Sequence, residues 1–193
     1  MNKTRNNSEQ YSEKKNQRLK KPFVVTLTGV LIVIVALFLP YMTAVGDTAE
    51  YIEEHPDRVE IKSLELTASD LANIPLVSVH NLIAGVYGED DGAIANVIVG
   101  VLGGCLTLTM LFVMIKKPIP VMFFDLLSCG VFLFLSFLMK DDFIDKNKYA
   151  WGFGYYAIWL GAIVLFAGAI WMLAAKISNK RRTQIAMASS TNE

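Results

Sequence analysis

Asp125 is the residue of this chain best placed to do chemistry, because it is the only charged side chain inside four long apolar stretches. An ionised carboxylate surrounded by hydrocarbon requires a partner, water or a bound proton. Ser128 follows at i+3, where the helical repeat sets both residues on one face. Thr107 and Thr109 in the preceding stretch add two hydroxyls. These four residues form the candidate intramembrane polar site.

Two interpretations of this site differ in function. In the first, Asp125 and the hydroxyls relay protons or cations. In the second, Asp125 is structural: it accepts a hydrogen bond from Thr107 or Thr109, or pairs with Lys116 or Lys117. A single carboxylate, with no His, Arg or second acid in the apolar stretches, favours the structural interpretation.

Small residues mark two of the stretches as surfaces for close helix packing. Gly100 and Gly104 form a GxxxG pair, and Gly161 and Gly168 recur at heptad spacing. Such glycines let helix backbones approach closely in membranes, either within one bundle or between copies of a chain. The pattern predicts helix packing and leaves both arrangements open.

Motifs of catalysis and of cofactor binding are absent from the sequence. No GxSxG, HExxH, Walker loop or glycine-rich dinucleotide turn occurs. His55 and His80 have no further ligand nearby at metal spacing. Cys105 and Cys129 lie inside apolar stretches, where thiols pack as small apolar groups. We therefore expect no enzymatic activity, cofactor, metal site or disulfide.

The elements that must position these residues are membrane-spanning helices. The four apolar stretches cover residues 23–45, 93–115, 119–139 and 153–175. At 1.5 Å per residue, each stretch reaches roughly 32 to 34 Å, which matches the ~30 Å hydrocarbon layer. The predicted fold class is an all-α integral membrane protein, a four-transmembrane-helix bundle.

Basic residues predict the orientation of the bundle. Of the 18 Lys and Arg side chains, thirteen fall on the side that holds both termini and five on the other. The positive-inside rule therefore predicts a multi-pass protein of the cell membrane with cytoplasmic N- and C-termini. Eleven carboxylates between Asp47 and Asp91 make the outside segment acidic, which disfavours nucleic acid as a partner.

The segments outside the spans complete the predicted organisation. Residues 1–21 form a disordered basic cytoplasmic tail, and 177–193 form a second cytoplasmic tail. The membrane domain is 22–176, and its segment 46–92 is a small extracytoplasmic cap of short helices. An alternating pattern at 59–66 predicts one strand in this cap, or an extended segment draped over the helix ends.

Local patterns add detail near the outer boundary. Residues 47–55 and 75–87 are predicted to be helical, and Gly88 supplies a stop after the second helix. An aromatic belt at the membrane boundary is predicted from residues with amphipathic rings: Tyr149, Trp151, Tyr155 and Tyr156.

A rival interpretation of the first stretch is a cleaved signal peptide. A basic lead, an apolar run, Pro40 and the small residues Ala44 to Gly46 match that pattern. The long polar lead and the continuation of the apolar run to Val45 favour a retained anchor.

The layout of one span, a sizeable outside segment and three closely connected spans resembles that of claudin-like tetraspan proteins. The outside segment contains neither Trp nor Cys, so the Trp-Gly-Leu-Trp and Cys signature of that family is missing. No family is assigned, and no residue role is carried over.

The sequence predicts a non-enzymatic accessory, assembly or interaction subunit. Its partners are the lipid bilayer and other membrane proteins or further copies of itself. The alternative is a small transporter or channel subunit that uses Asp125 and the neighbouring hydroxyls as a polar lining. Close helix packing and few intramembrane polar groups favour the first function.

Overall fold

Four long helices dominate the computed structural model, which describes residues 2–54 and 71–190. They are α1 (Asn2–Ala36), α4 (Glu89–Met114), α5 (Pro118–Met139) and α6 (Phe153–Ser190). Each contains a segment long and apolar enough to cross a membrane. The prediction of four such helices in a mainly helical bundle is confirmed.

The first and last long helices, α1 and α6, extend further along the chain than the sequence predicts. Helix α1 begins at Asn2 and includes most of the segment for which disorder is predicted. That segment is rich in Lys, Arg, Gln and Glu and has no Gly or Pro before Pro22, so its residues are compatible with a helix. Helix α6 likewise continues to Ser190, through most of the predicted second tail.

The end of α1 corrects the predicted span 23–45. The helix ends at Ala36, and residues 40–44 form a strand, β1 (Pro40–Ala44). Pro40 has no N–H to continue the helical ladder, and it disfavours the helical conformation of the residue before it. Tyr41 and Met42 of this strand are fully buried inside the protein.

Three short strands form a sheet at one end of the bundle, which we call the sheet end. Strand β1 lies between β2 (Asn73–Pro75) and β3 (Tyr149–Trp151) and pairs with both in antiparallel fashion. Met42 is opposite Ile74 on one side and Trp151 on the other. The predicted helical bundle thus also carries a small three-stranded sheet, where the sequence predicts one strand at most. The strand predicted at 59–66 lies outside the described residues.

Two short α-helices and a π-helical turn (Lys140–Ile144) complete the sheet end. Helix α2 (Gly46–Glu54) agrees with the prediction for 47–55. A 3-10 turn (Leu76–Ser78) precedes α3 (Val79–Tyr87), so the second short helix begins four residues later than predicted. Gly88 follows α3 with φ of 116°, a conformation that favours glycine. Helix α3 packs along α4 and buries Val79, Leu82 and Ile83.

The long helices pack in a ring. Helix α1 lies antiparallel along α6, α6 contacts α5, and α5 contacts α4, which returns to α1. A tight turn at 115–117 joins α4 to α5, with Lys116 at φ of 56°. We call this opposite end of the bundle the hairpin end.

The predicted aromatic belt is in part a buried cluster. Tyr41 contacts the rings of Phe132, Trp151 and Tyr155 edge-on or tilted, with centroids 5.4 to 6.0 Å apart. Its hydroxyl shares a hydrogen bond of 3.0 Å with the Ser136 hydroxyl on α5. The cluster fastens β1 to the bundle, so these rings serve internal packing.

Candidate functional site

Asp125 lies on α5, about 10 Å along the helix from its first residue at the hairpin end. Only 4% of the residue is exposed, and it lies on the side of α5 that meets α6. The buried polar residues of the described chain are Thr26, Thr109, Asp125, Ser128 and Ser136. Asp125 alone among them carries an ionisable group.

The three hydroxyls predicted to share this site bond to their own helices. The Ser128 hydroxyl donates to the carbonyl of Phe124 at 2.8 Å, and the Thr109 hydroxyl donates to the carbonyl of Cys105 at 2.8 Å. Thr107 makes the same i−4 bond, to Gly103 at 2.9 Å, and is exposed. The structure therefore does not join these hydroxyls to Asp125 as a polar cluster.

The Asp125 carboxyl has no hydrogen-bond or ion-pair partner among the side chains that the structure describes. A pair with Lys116, one of the structural alternatives, is not formed, because that ammonium lies over the ring of Phe23 at 5.5 Å. Lys117 is exposed at the turn. Asp125 is thus a buried acid without a counterpart in the described part of the chain.

A groove between α5 and α6 opens beside Asp125, with a volume of about 310 Å³. We call it the α5–α6 groove, and it is lined by Asp125, Leu126, Cys129, Trp159, Ala162, Ile163, Phe166, Ala167 and Ile170. Asp125 is the only charged side chain of the lining. Leu126 and Ile163 flank it with 59% and 64% of their surfaces exposed, so the groove faces the medium around the bundle.

Two further cavities differ from this groove in chemistry. A groove of about 400 Å³ between α4 and α5 is lined by apolar residues and Gly130. A cavity of about 230 Å³ at the sheet end includes Tyr87, Asp91 and Asp142 above an apolar floor. Desolvation and the hydrogen bond to Asp142 raise the pKa of Tyr87 to about 12. Asp142 is already paired with Lys146 at 2.7 Å.

The predicted packing glycines fall into two groups. Gly161 and Gly168 face α1, and a Cβ at either position would lie 2.6 Å from its nearest neighbour, a side-chain atom of Val33 or Thr26. Open space surrounds Gly100 and Gly104, where a Cβ would have no neighbour within 4 Å. The structure uses the first pair within the bundle and leaves the GxxxG pair on its outer surface.

No group of three metal-ligating side chains is found among the described residues. The ring Nδ1 of His80 is hydrogen-bonded to the carbonyl of Val77 at 3.0 Å, and His55 lies outside the described residues. Sequence reasoning missed Trp159 and the other α6 residues of the groove. No local signal could have found them, because the sequence does not state which helix faces Asp125.

Comparison with protein families, with curated proteins and with solved structures finds no match to this chain. Any functional assignment therefore depends on the chemistry of its own residues.

Proposed function

We propose that this protein is a non-enzymatic accessory, assembly or interaction subunit of the cell membrane, which binds other membrane proteins through its lipid-facing surface. The observation that carries the proposal is the Asp125 carboxyl, which is buried, has no partner among the described side chains and lines an open apolar groove.

The energetics of a lone carboxyl support this proposal. An acidic side chain at the centre of a membrane helix costs about 2.5–3.5 kcal/mol on insertion scales. Hydroxyls of the same chain do not offset this cost, because Ser128 and Thr109 donate to their own backbones. A group from a second protein offsets it when it enters the α5–α6 groove.

The transport alternative has weaker support. A relay requires a series of polar or titratable groups along a path. Besides Asp125, the groove lining contains only the Cys129 thiol and the Trp159 indole as polar groups, and the predicted hydroxyls point elsewhere. This arrangement suits a binding surface better than a pathway.

Orientation is part of the proposal: the hairpin end and both termini are cytoplasmic, and the sheet end is outside. Exposed basic side chains at the hairpin end support this orientation, namely Lys20, Lys21, Lys116 and Lys117. Exposed acids dominate the described part of the sheet end, where Glu50, Glu53 and Glu54 lie on α2.

Photocrosslinking in native membranes tests the proposed function. A photoreactive residue replaces Ile163 on the groove, and a matched control replaces Leu133, which is 52% exposed on α5 and lines none of the cavities described above. We expect a membrane protein, identified by mass spectrometry, to be crosslinked from position 163 and not from position 133. The crosslink should be lost in Asp125→Asn.

Two results would contradict the proposal. Identical crosslinks from both positions would mean that the groove is not a binding surface. Proton or ion flux in proteoliposomes that Asp125→Asn abolishes, with expression and helicity unchanged, would instead support the transport alternative.

A further inference from the structure

We infer that the α5–α6 groove binds a transmembrane helix of a partner protein, and that a single Lys or Arg of this helix pairs with Asp125. The inference rests on the proposed function and adds the chemistry by which the partner is recognised. Three observations support it: the shape of the groove, the presence of Asp125 as the acidic residue of its lining, and the depth of Asp125 along α5.

The shape of the groove suits a helix. Its wall on α6 runs from Trp159 to Ile170, which is about 16 Å or three helical turns. Ala162 and Ala167 keep this wall low, and small residues let a second helix approach closely. The exposed ridges Leu126 and Ile163 then lie on either side of the bound helix.

The Asp125 carboxylate in the groove would be stabilised by a cation from outside this chain. None of the residues that line the groove is basic, and Lys116 is engaged with the ring of Phe23. A carboxylate in a low-dielectric medium is best compensated by a basic group with hydrogen bonds to it. A basic residue on a partner helix is itself costly in lipid, so the pair offsets two unfavourable burials at once.

The depth of Asp125 favours a helix over a lipid headgroup. The residue lies about 10 Å inside the hairpin end of α5. A headgroup amine stays at the interface, whereas a side chain on a spanning helix reaches the carboxyl at its own depth. The occupant is therefore a helix that carries its basic residue about 10 Å from the same face of the membrane.

A peptide series tests this inference on the unmodified full-length chain. The chain is reconstituted in phosphatidylcholine vesicles with a single-span Leu/Ala helix that has Lys, Leu or Glu at the depth of Asp125. Energy transfer from the tryptophans of the chain to a dansyl group on the peptide reports binding. We expect the Lys peptide to bind about tenfold more tightly than the Leu peptide, and the Glu peptide to bind no better than Leu.

Two variants place the effect at Asp125. Asp125→Asn should reduce the affinity for the Lys peptide to that for the Leu peptide, whereas Asp125→Glu should retain the preference for Lys. Because the three peptides are first compared on the unmodified chain, misfolding of a variant cannot create the preference.

Three results would overturn the inference: equal affinities for the three peptides, a preference for Lys that survives in Asp125→Asn, or loss of that preference when phosphatidylethanolamine is added. The last result would identify a lipid amine as the occupant. If the peptides show no preference while the crosslink from position 163 remains dependent on Asp125, the proposed function stands and only the cationic helix is wrong. If both are absent, both proposals fail.

Discussion

Replacing Gly168 by Ala should destabilise the bundle, because this glycine sets the distance between α1 and α6. An added Cβ would lie 2.6 Å from the Thr26 hydroxyl oxygen and 2.7 Å from the Thr26 backbone nitrogen. The backbone nitrogen cannot rotate away. The Thr26 side chain is fully buried and donates to the carbonyl of Pro22 at 2.7 Å, so its movement also breaks a hydrogen bond.

The expected magnitude follows from these distances. Ordinary van der Waals contact begins near 3.4 Å, so the helices must separate by several tenths of an ångström along a close-packed interface. Overpacking of this kind costs about 1–3 kcal/mol. Gly104→Ala is a matched control, since a Cβ there meets open space. Both variants gain helix propensity of up to about 1 kcal/mol, so their difference isolates the contact.

The assay is unfolding of each variant in mixed micelles by increasing sodium dodecyl sulfate, followed by circular dichroism. We expect the free energy of unfolding of Gly168→Ala to fall about 1–3 kcal/mol below that of Gly104→Ala. Equal stabilities, or a more stable Gly168→Ala, would show that α1 and α6 do not pack at this position.

Three further predictions concern the sheet end. Tyr41→Phe removes the hydroxyl bonded to Ser136 and should lower the free energy of unfolding by about 1 kcal/mol, with Ser136→Ala adding little to it in a double-mutant cycle. Burial raises the pKa of the Tyr149 phenol, which donates a hydrogen bond to the carbonyl of Leu71, so the phenol ionises at a lower pH in the unfolded chain than in the folded one. The free energy of unfolding should therefore be retained below about pH 10 and fall above it. Denaturant titrations at successive pH values should show a less steep fall in Tyr149→Phe. An impermeant maleimide should label Lys146→Cys from outside sealed cells, and labelling only from the inside would reverse the proposed orientation.

The number and approximate positions of the long helices could be predicted because lipid-facing and core-facing residues of a membrane helix are both apolar. The same uniformity explains the error at 37–45. Tyr41 and Met42 are apolar because a sheet and a helix bundle bury them, yet composition alone cannot distinguish that environment from lipid. Pro40 is the local signal for the end of the helix, and the helix ends at Ala36, four residues before it.

Asp125 could be singled out from the sequence, but its surroundings could not. The rotation of a Ser or Thr side chain decides whether its hydroxyl donates to a neighbouring carboxyl or to a carbonyl of its own helix. Ser128 and Thr109 both donate to the i−4 carbonyl. Likewise, the GxxxG pair in α4 and the heptad pair in α6 gave no indication that, of the four glycines, only Gly161 and Gly168 meet a partner helix inside the bundle.

The central position of β1 makes the two ends of the bundle mechanically unequal. Strand β1 continues from α1, β2 precedes α3 and α4, and β3 leads into α6, so one ladder ties three of the four long helices together. Any motion that separates α1 from α6 at that end must break backbone hydrogen bonds such as that from Gly152 to Tyr41, 2.8 Å long. The sheet therefore fixes the positions of these three helices relative to one another at the sheet end.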